Sequence, residues 1–273
     1  MNQQALSFAA LLKTWRGHRK ISQLHLAMES GISQRHISFL ETGRSNPSRR
    51  MVVQLCESLD VPLRERNMLL ASAGFAPLYE GEALDHESLT FFKDALATAI
   101  QHHEPYPAVV IDGQWNLSMA NESALRFFGL FFDPLTAFSR YEDFQILRLC
   151  LDEEALAGHI ENLPELMRAL LLRVRRASAA NPGNERLQRF LGEVSAHPEI
   201  AGLWDEPASA PVNPVIEMTL KLGEARFRLF TMLAHFGSPE HVTLEELSVE
   251  TFYPADAATK QHFLTTAAAS PAA

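Results

Sequence analysis

Gly31–Ile32–Ser33–Gln34–Arg35–His36–Ile37–Ser38–Phe39–Leu40–Glu41–Thr42–Gly43 is the stretch on which the reading of this chain turns. Ser33 has the side chain of a helix cap and Gly43 the permissive backbone of a helix stop, so a helix is predicted from about Ser33 to Thr42. At about 100° per residue, Ile37 and Leu40 point one way, with Ile32 leading in, while Gln34, Arg35, Ser38, Phe39 and Thr42 spread over the other face. That outer face is rich in hydrogen-bonding groups and almost free of acid. Glutamine and arginine suit bidentate pairing with adenine and guanine edges in the DNA major groove, and an aromatic ring suits the thymine methyl or a sugar. Gln34, Arg35, Ser38 and Phe39 are therefore the candidate base-contacting residues.

Upstream, Leu6, Phe8, Ala9, Ala10, Leu11, Leu12 and Trp15 describe an amphipathic first helix ending near Gly17, with the basic exit Arg16, Arg19, Lys20. Ser22 can cap a second helix over Gln23–Glu29 that Gly31 ends. A short helix, a glycine-bearing turn and a second short helix with polar outward residues form the helix-turn-helix pattern, in which the second helix enters the major groove. Helix N-termini aim backbone N–H groups at phosphates. Arg19, Ser22, Gln23, Ser33, Thr42, Arg44, Arg49 and Arg50 are accordingly the candidate phosphate contacts, fixing register rather than reading sequence. A fourth helix after Ser48 is expected to bury Met51, Val52, Leu55, Cys56 and Leu59. A fifth, from Pro62 to about Ala73, is expected to bury Leu63, Met68, Leu69 and Leu70, with Gly74 closing it.

The chain has 273 residues, 47% hydrophobic and 21% charged, enough for two packed domains. Its net charge of −9 disfavours binding a polyanion when taken as a whole, but the charge is unevenly distributed. Residues 1–80 carry ten Lys and Arg against six Asp and Glu; residues 81–273 carry fourteen against twenty-seven. Only the first module needs to touch phosphates, and only it is basic. No apolar run approaches the roughly 20 residues of a bilayer span, and residues 1–10 lack the pattern of a secretory leader, so no membrane insertion and a cytoplasmic place are expected. Cys56 and Cys150 lack a metal-ligand spacing and read as buried free thiols. The histidines, among them His102, His103, His159, His197, His235 and His241, show no metal spacing, and no nucleophile elbow, phosphate loop or dinucleotide fingerprint is present. No metal, no cofactor and no enzyme activity are expected.

The string from Ser22 to Ser48 resembles the XRE, or phage-repressor-like, helix-turn-helix family. Its continuation resembles the regulators with an MmyB-like ligand-binding domain, through Leu59–Asp60–Val61–Pro62–Leu63–Arg64–Glu65–Arg66–Asn67, Ala73–Gly74–Phe75–Ala76–Pro77, His103–Glu104–Pro105–Tyr106–Pro107–Ala108, Trp115–Asn116, Ala120–Asn121, His197–Pro198–Glu199, Leu203–Trp204 and Phe252–Tyr253–Pro254–Ala255–Asp256. Asn162–Leu163 departs from the Asn-Trp of many relatives. The resemblance implies a bacterial regulator, nucleoid-associated in the cytoplasm, whose C-terminal domain has a PAS-like fold and a lipophilic pocket for a fatty-acid-like ligand.

The C-terminal residues read independently as follows. Phe91, Phe92, Leu96 and Ile100 predict a helix between Ser88 and His102. Ala108–Ile111 reads as a buried strand, Asp112–Gly113 as a hairpin turn and Trp115–Ala120 as its partner, after which Asn121 caps a largely helical stretch to about Ala196. Asp152–Glu153–Glu154 reads as a helix start. Beyond a loop at Pro211–Val212–Asn213–Pro214, period-two alternation from Val215 through Ile216 to Lys221, strand residues Phe227, Leu229 and Thr231, and a last strand from Val242 to Phe252 complete an antiparallel sheet covered by helices. The fold class is α+β with two domains: an all-α five-helix helix-turn-helix domain over 1–80, a linker helix over 81–104, the PAS-like domain over 105–258, and a helix end and frayed tail, Ala267–Ala273 included, over 259–273.

A pocket under the sheet is expected to be lined by Phe128, Phe131, Leu147, Leu151, Met167, Leu170, Phe190, Met218 and Phe230, with Arg126, Arg148, His159 and Arg168 as candidates for an acidic head group. The expected protein is a sequence-specific, homodimeric regulator of operator DNA whose occupancy responds to a lipophilic ligand. The alternatives are a DNA-binding regulator whose C-terminal domain docks proteins, and a lipid carrier without DNA binding.

Overall fold

The computed structural model describes residues 7–180, 184–196, 215 and 217–269. The expected loop at Pro211–Pro214, Ile216, His197–Glu199, Leu203–Trp204 and the end of the tail lie outside these. Two compact units emerge, one made of Met1–Glu82 with Arg176–Gln188 and Ser238–Glu245, the other of Ala83–Arg175, Arg189–Gly237 and Glu246–Ala273.

The first unit is all-helical around α1 (Phe8–His18), α2 (Gln23–Ser30), α3 (Gln34–Glu41), α4 (Arg49–Ser58) and α5 (Leu63–Ser72). Four of these helices start on a serine whose Oγ accepts a backbone N–H three residues on: Ser7 from Ala10, Ser22 from His25, Ser33 from His36 and Ser48 from Met51, each cap supplying about 1 kcal/mol. Gly31, at φ +66, turns α2 out in the left-handed conformation that other residues adopt at a cost. The core gathers Leu12, Trp15, Leu26, Ile37, Leu40, Val52, Leu55 and Leu70, all 2% exposed or less. Met68 is a correction: it is 45% exposed, because Leu69 and Leu70 already occupy the inward arc of α5.

The second unit is built on an antiparallel five-stranded sheet ordered β2-β1-β5-β4-β3. The strands are β1 (Ala108–Ile111), β2 (Leu117–Ala120), β3 (Glu217–Leu222), β4 (Ala225–His235) and β5 (Ser248–Pro254). All four residues of β1 are buried, with α6 (Thr90–Gln101) and α7 (Glu122–Phe128) both packed against it. The stretch to Ala196 is broken rather than continuous. After α7 come α8 (Pro134–Ser139), α9 (Gln145–Leu149), a 3-10 turn at Ala157–His159, α10 (Leu163–Ala180) and α11 (Glu185–Ser195).

Three further expectations are corrected. Asp112–Gly113 is not a two-residue hairpin: Asp112 Oδ1 accepts the N–H groups of Gln114 and Asn116, Trp115 takes a φ of 54°, and the partner strand starts only at Leu117. Val242–Glu246 is a helix, α12, and not the start of the last strand. There His241 Nδ1 accepts the Thr243 N–H and the His241 carbonyl accepts that of Glu245, so local capping overrides the apolar alternation of Val242 and Leu244. Asp152 opens no helix; its Oδ1 accepts the Glu154 N–H within a turn and its Oδ2 accepts from Tyr141 Oη and Arg140. The described residues end in α13 (Ala257–Ala269), which packs on β4 and β5 and buries Phe263, so Ala267–Ala269 are helical.

Candidate nucleic-acid interface and ligand cavity

The helix-turn-helix is assembled from the inside outward. Ile37 and Leu40 are 0% exposed, and burying two such side chains supplies about 3–6 kcal/mol toward holding α3 in place. The single acid of α3 is turned inward as well. Arg16 on α1 donates to Glu41 through Nε at 2.5 Å and Nη2 at 2.9 Å, and Gln23 on α2 donates its Nε2 to the same carboxylate at 2.8 Å. Burial pushes the Glu41 carboxyl up, but the bonds from Arg16 and Gln23 outweigh it, and the net position is below the ordinary 4.5. One carboxylate thus ties α1, α2 and α3 together and is removed from the surface that faces out.

Outward, Gln34 and Arg35 are exposed and Ser38 and Phe39 are half-buried, so the four expected base readers share one solvent-facing side of α3. The Arg35 guanidinium carbon sits 5.4 Å from the centroid of the Phe39 ring. Arg44, Arg49 and Arg50 are exposed as well, and among the described residues nothing hydrogen-bonds or ion-pairs with their guanidinium groups.

Three of the expected phosphate contacts are committed elsewhere. Arg19 donates through Nε to the Leu59 carbonyl at 2.7 Å and through Nη2 to that of Asp60, and lies over the Trp15 ring; its donors close the C-terminus of α4. The Gln23 amide N–H is held by Glu41, and the Thr42 hydroxyl donates back to the Ser38 carbonyl at 2.8 Å. The Ser22 and Ser33 oxygens accept the cap bonds, which leaves each O–H for an outside acceptor. Burial lowers the His18 imidazole first, and the neighbouring charges of Arg19 and Lys20 lower it further, a local sign of the positive potential at the exit of α1.

In the second unit an apolar cavity of about 70 Å³ lies between the sheet and the helices, well below the roughly 300–1,000 Å³ usual for ligand sites. Its wall takes Val109, Leu117, Ala120 and Phe252 from the sheet, Ala124, Leu125 and Phe128 from α7, Phe132, Pro134, Phe138, Ile146, Leu149 and Leu156 beyond it, and one polar residue, Glu250.

Of the expected lining residues only Phe128 is in this wall. Phe131, Leu147, Met167, Phe190 and Met218 are buried in the surrounding core, and Leu151, Leu170 and Phe230 are half-buried outside it. Phe190 stacks on Phe144 with ring centroids 4.2 Å apart, and Phe230 stacks on Tyr253 across β4 and β5; both rings already have partners. Helix breaks explain the rest: Phe144 at φ 53° resets the phase before α9, so Ile146 and Leu149 meet the cavity in place of Leu147. The signal that would have found Glu250 and Phe252 is the alternation of β5, where Ser248, Glu250 and Phe252 share the buried face.

The expected head-group cations do not converge on the cavity. Arg126 pairs with Glu104 and Glu122, Arg148 with Asp143 and Glu193, and His159 Nδ1 meets the Lys221 carbonyl at 3.0 Å. Arg168 on α10 is not in the wall either. Cys56 and Cys150 are buried free thiols, each pushed up to about 12, chiefly by burial.

Among the described residues, Glu80, Glu82 and His241 bring potential ligand atoms within 4.8 Å of one another. Since His241 Nδ1 accepts the Thr243 N–H, its Nε2 carries the proton and donates to Glu82 at 3.0 Å, an arrangement complete without an ion. No helix of the described residues is long and apolar enough to cross a membrane.

Residues 12–66 match the family described as Helix-turn-helix, and residues 92–264, well over half of the chain, match that described as MmyB-like transcription regulator ligand binding domain. No curated protein matches the chain.

Proposed function

This chain belongs to the family of regulators with an MmyB-like transcription regulator ligand binding domain, and from that premise we propose a homodimeric, sequence-specific regulator whose hold on operator DNA is altered by a lipophilic, fatty-acid-like ligand. That it is a DNA-binding transcription regulator with a ligand-binding domain follows from the two matched families. The observation that carries the finer reading is the outer face of α3, polar and without exposed acid, backed by Ile37 and Leu40. Gln34, Arg35, Ser38 and Phe39 read bases; Ser22, Ser33, Arg44, Arg49 and Arg50 hold phosphates.

The strand order β2-β1-β5-β4-β3 supports a PAS-like reading of the second unit. The cavity wall supports an apolar ligand: all but one of its residues are hydrophobic, and its phenylalanines adapt to a flexible chain. Two subunits would set two recognition helices on half-sites about one helical turn apart. In the second unit Phe91 is 76% exposed and Met232 57% exposed, apolar surface of the kind that association covers.

Native mass spectrometry of the purified protein, followed by anisotropy titration of a duplex from its own upstream region with and without added decanoate, tests the reading. A dimer mass, retained apolar small molecules and an affinity that moves with decanoate are expected. A monomer with an empty cavity whose DNA affinity ignores the additive would sink the finer reading.

A further inference from the structure

Glu250 is the one acid in an otherwise apolar cavity wall. It lies on β5, the central strand of the sheet, on the face that also carries Phe252, and opposite Val109 of β1, both of them wall residues. It is 7% exposed. Taking a carboxylate out of water is costly unless partners replace the lost solvent.

Those partners are scarce. The buried Glu41 accepts three hydrogen bonds, two from Arg16 and one from Gln23. Among the described residues Glu250 accepts none with its side chain. Its counter-charge is Arg173 on α10, whose Nη1 stays 3.6 Å from Oε1, beyond the usual reach of a hydrogen bond. The pair cancels charge yet leaves the acceptor capacity of the carboxylate unmet. A ligand site of this kind, apolar with a single polar group, fixes its guest through that group.

We propose that Glu250 accepts a hydrogen bond from the head group of the bound ligand, so that the cavity takes a slender aliphatic molecule ending in an uncharged donor, a hydroxyl or a primary amide. The inference rests on the cavity being the ligand site and narrows the chemistry of its occupant. Because Glu250 and Arg173 already balance and the wall holds no further charged side chain, a charged head would be buried without compensation. A carboxylate would set a second anion beside Glu250, and an ammonium would leave a net positive charge. A fatty acid is admitted in its protonated form, whose O–H is itself a donor. At about 70 Å³ the space favours a short chain.

1-Hexanol and 1-methoxypentane are isomers that differ in whether the oxygen carries a proton, and so isolate the donor. Calorimetric titration of the full-length protein at neutral pH should give an affinity for 1-hexanol about tenfold above that for 1-methoxypentane, the worth of a hydrogen bond to a charged group. Hexanoate should bind more weakly than the alcohol. In Glu250→Gln the side chain donates as well as accepts, so alcohol and ether should bind within about twofold of each other. Ala124→Phe should abolish binding of all three.

Equal wild-type affinities for 1-hexanol and 1-methoxypentane overturn the proposal whatever the variants do. So does hexanoate binding as tightly as the alcohol, or a preference for the alcohol that persists undiminished in Glu250→Gln. Absence of binding by all three compounds is a different result: it removes the cavity as a ligand site, and the head-group assignment with it.

Discussion

At the scale of single residues, the DNA-binding unit separates the arginines by what their donors already hold. Arg35→Ala is expected to cost about 1–3 kcal/mol in specific binding and to relax one base position, while Arg49→Ala weakens all sequences alike and lowers the salt slope by about one. Anisotropy titrations on matched and scrambled duplexes at several salt concentrations distinguish the two. Glu41 gives a pH prediction. Its side chain is 3% exposed and its folded pKa lies below the ordinary 4.5, so its contribution is fully present above that value and is lost as pH falls through the lower native one. Urea melts from about pH 6 to pH 3 should show that slope in the wild type and a reduced one in Glu41→Gln. Glu41→Ala should lose about 3 kcal/mol, since Arg16 is left without its partner.

At the scale of elements, the connections hold more than the strands and helices themselves reveal. Asn121 is 6% exposed and satisfies four groups: its Oδ1 accepts from Ala108 and Ala124 N–H, and its Nδ2 donates to the Ile100 and Tyr106 carbonyls. It joins the end of α6, the start of β1 and the start of α7 at one point. Asn121→Ala should therefore destabilise the chain by about 3 kcal/mol, with buried backbone groups left unpaired; thermal melts followed by circular dichroism measure it. In the first unit α5 begins after Pro62 with no side-chain cap of its own, and Glu245 accepts the Leu63 N–H at 2.8 Å. A carboxylate there also meets the positive end of the helix, so Glu245→Ala should cost about 1 kcal/mol, read from hydrogen exchange at the first turn of α5.

At the scale of the whole molecule, charge and cavity divide the labour. The first 80 residues carry the net positive charge that contact with phosphates needs, and the acidic remainder holds the apolar cavity. Coupling between them requires that the ligand prefer one conformation, since equal affinity for two states shifts nothing. Ala124, in the cavity wall and 2% exposed, allows a direct trial: Ala124→Phe fills the space. DNA affinity of that variant should stay near wild type and its response to decanoate should vanish. A response that survives the filled cavity would place the ligand elsewhere.

The residues between Gly31 and Gly43 sufficed on their own to predict α3, its caps and its two faces, because a helix wheel and a serine cap depend on neighbours within one turn. The period-two stretches around Glu217–Lys221 and Phe227–Thr231 likewise predicted strands, since alternation reflects a sheet with one covered face, whereas the same alternation at Val242 and Leu244 lies on a helix. Partnership was beyond their reach. That Arg19 closes α4, that Gln23 holds Glu41, and that Ile146 rather than Leu147 meets the cavity depends on residues far off in the chain or on backbone breaks such as Phe144. Composition names a side chain's donors and bulk, but only three-dimensional packing determines which of them are already satisfied and which remain open to DNA or to a ligand.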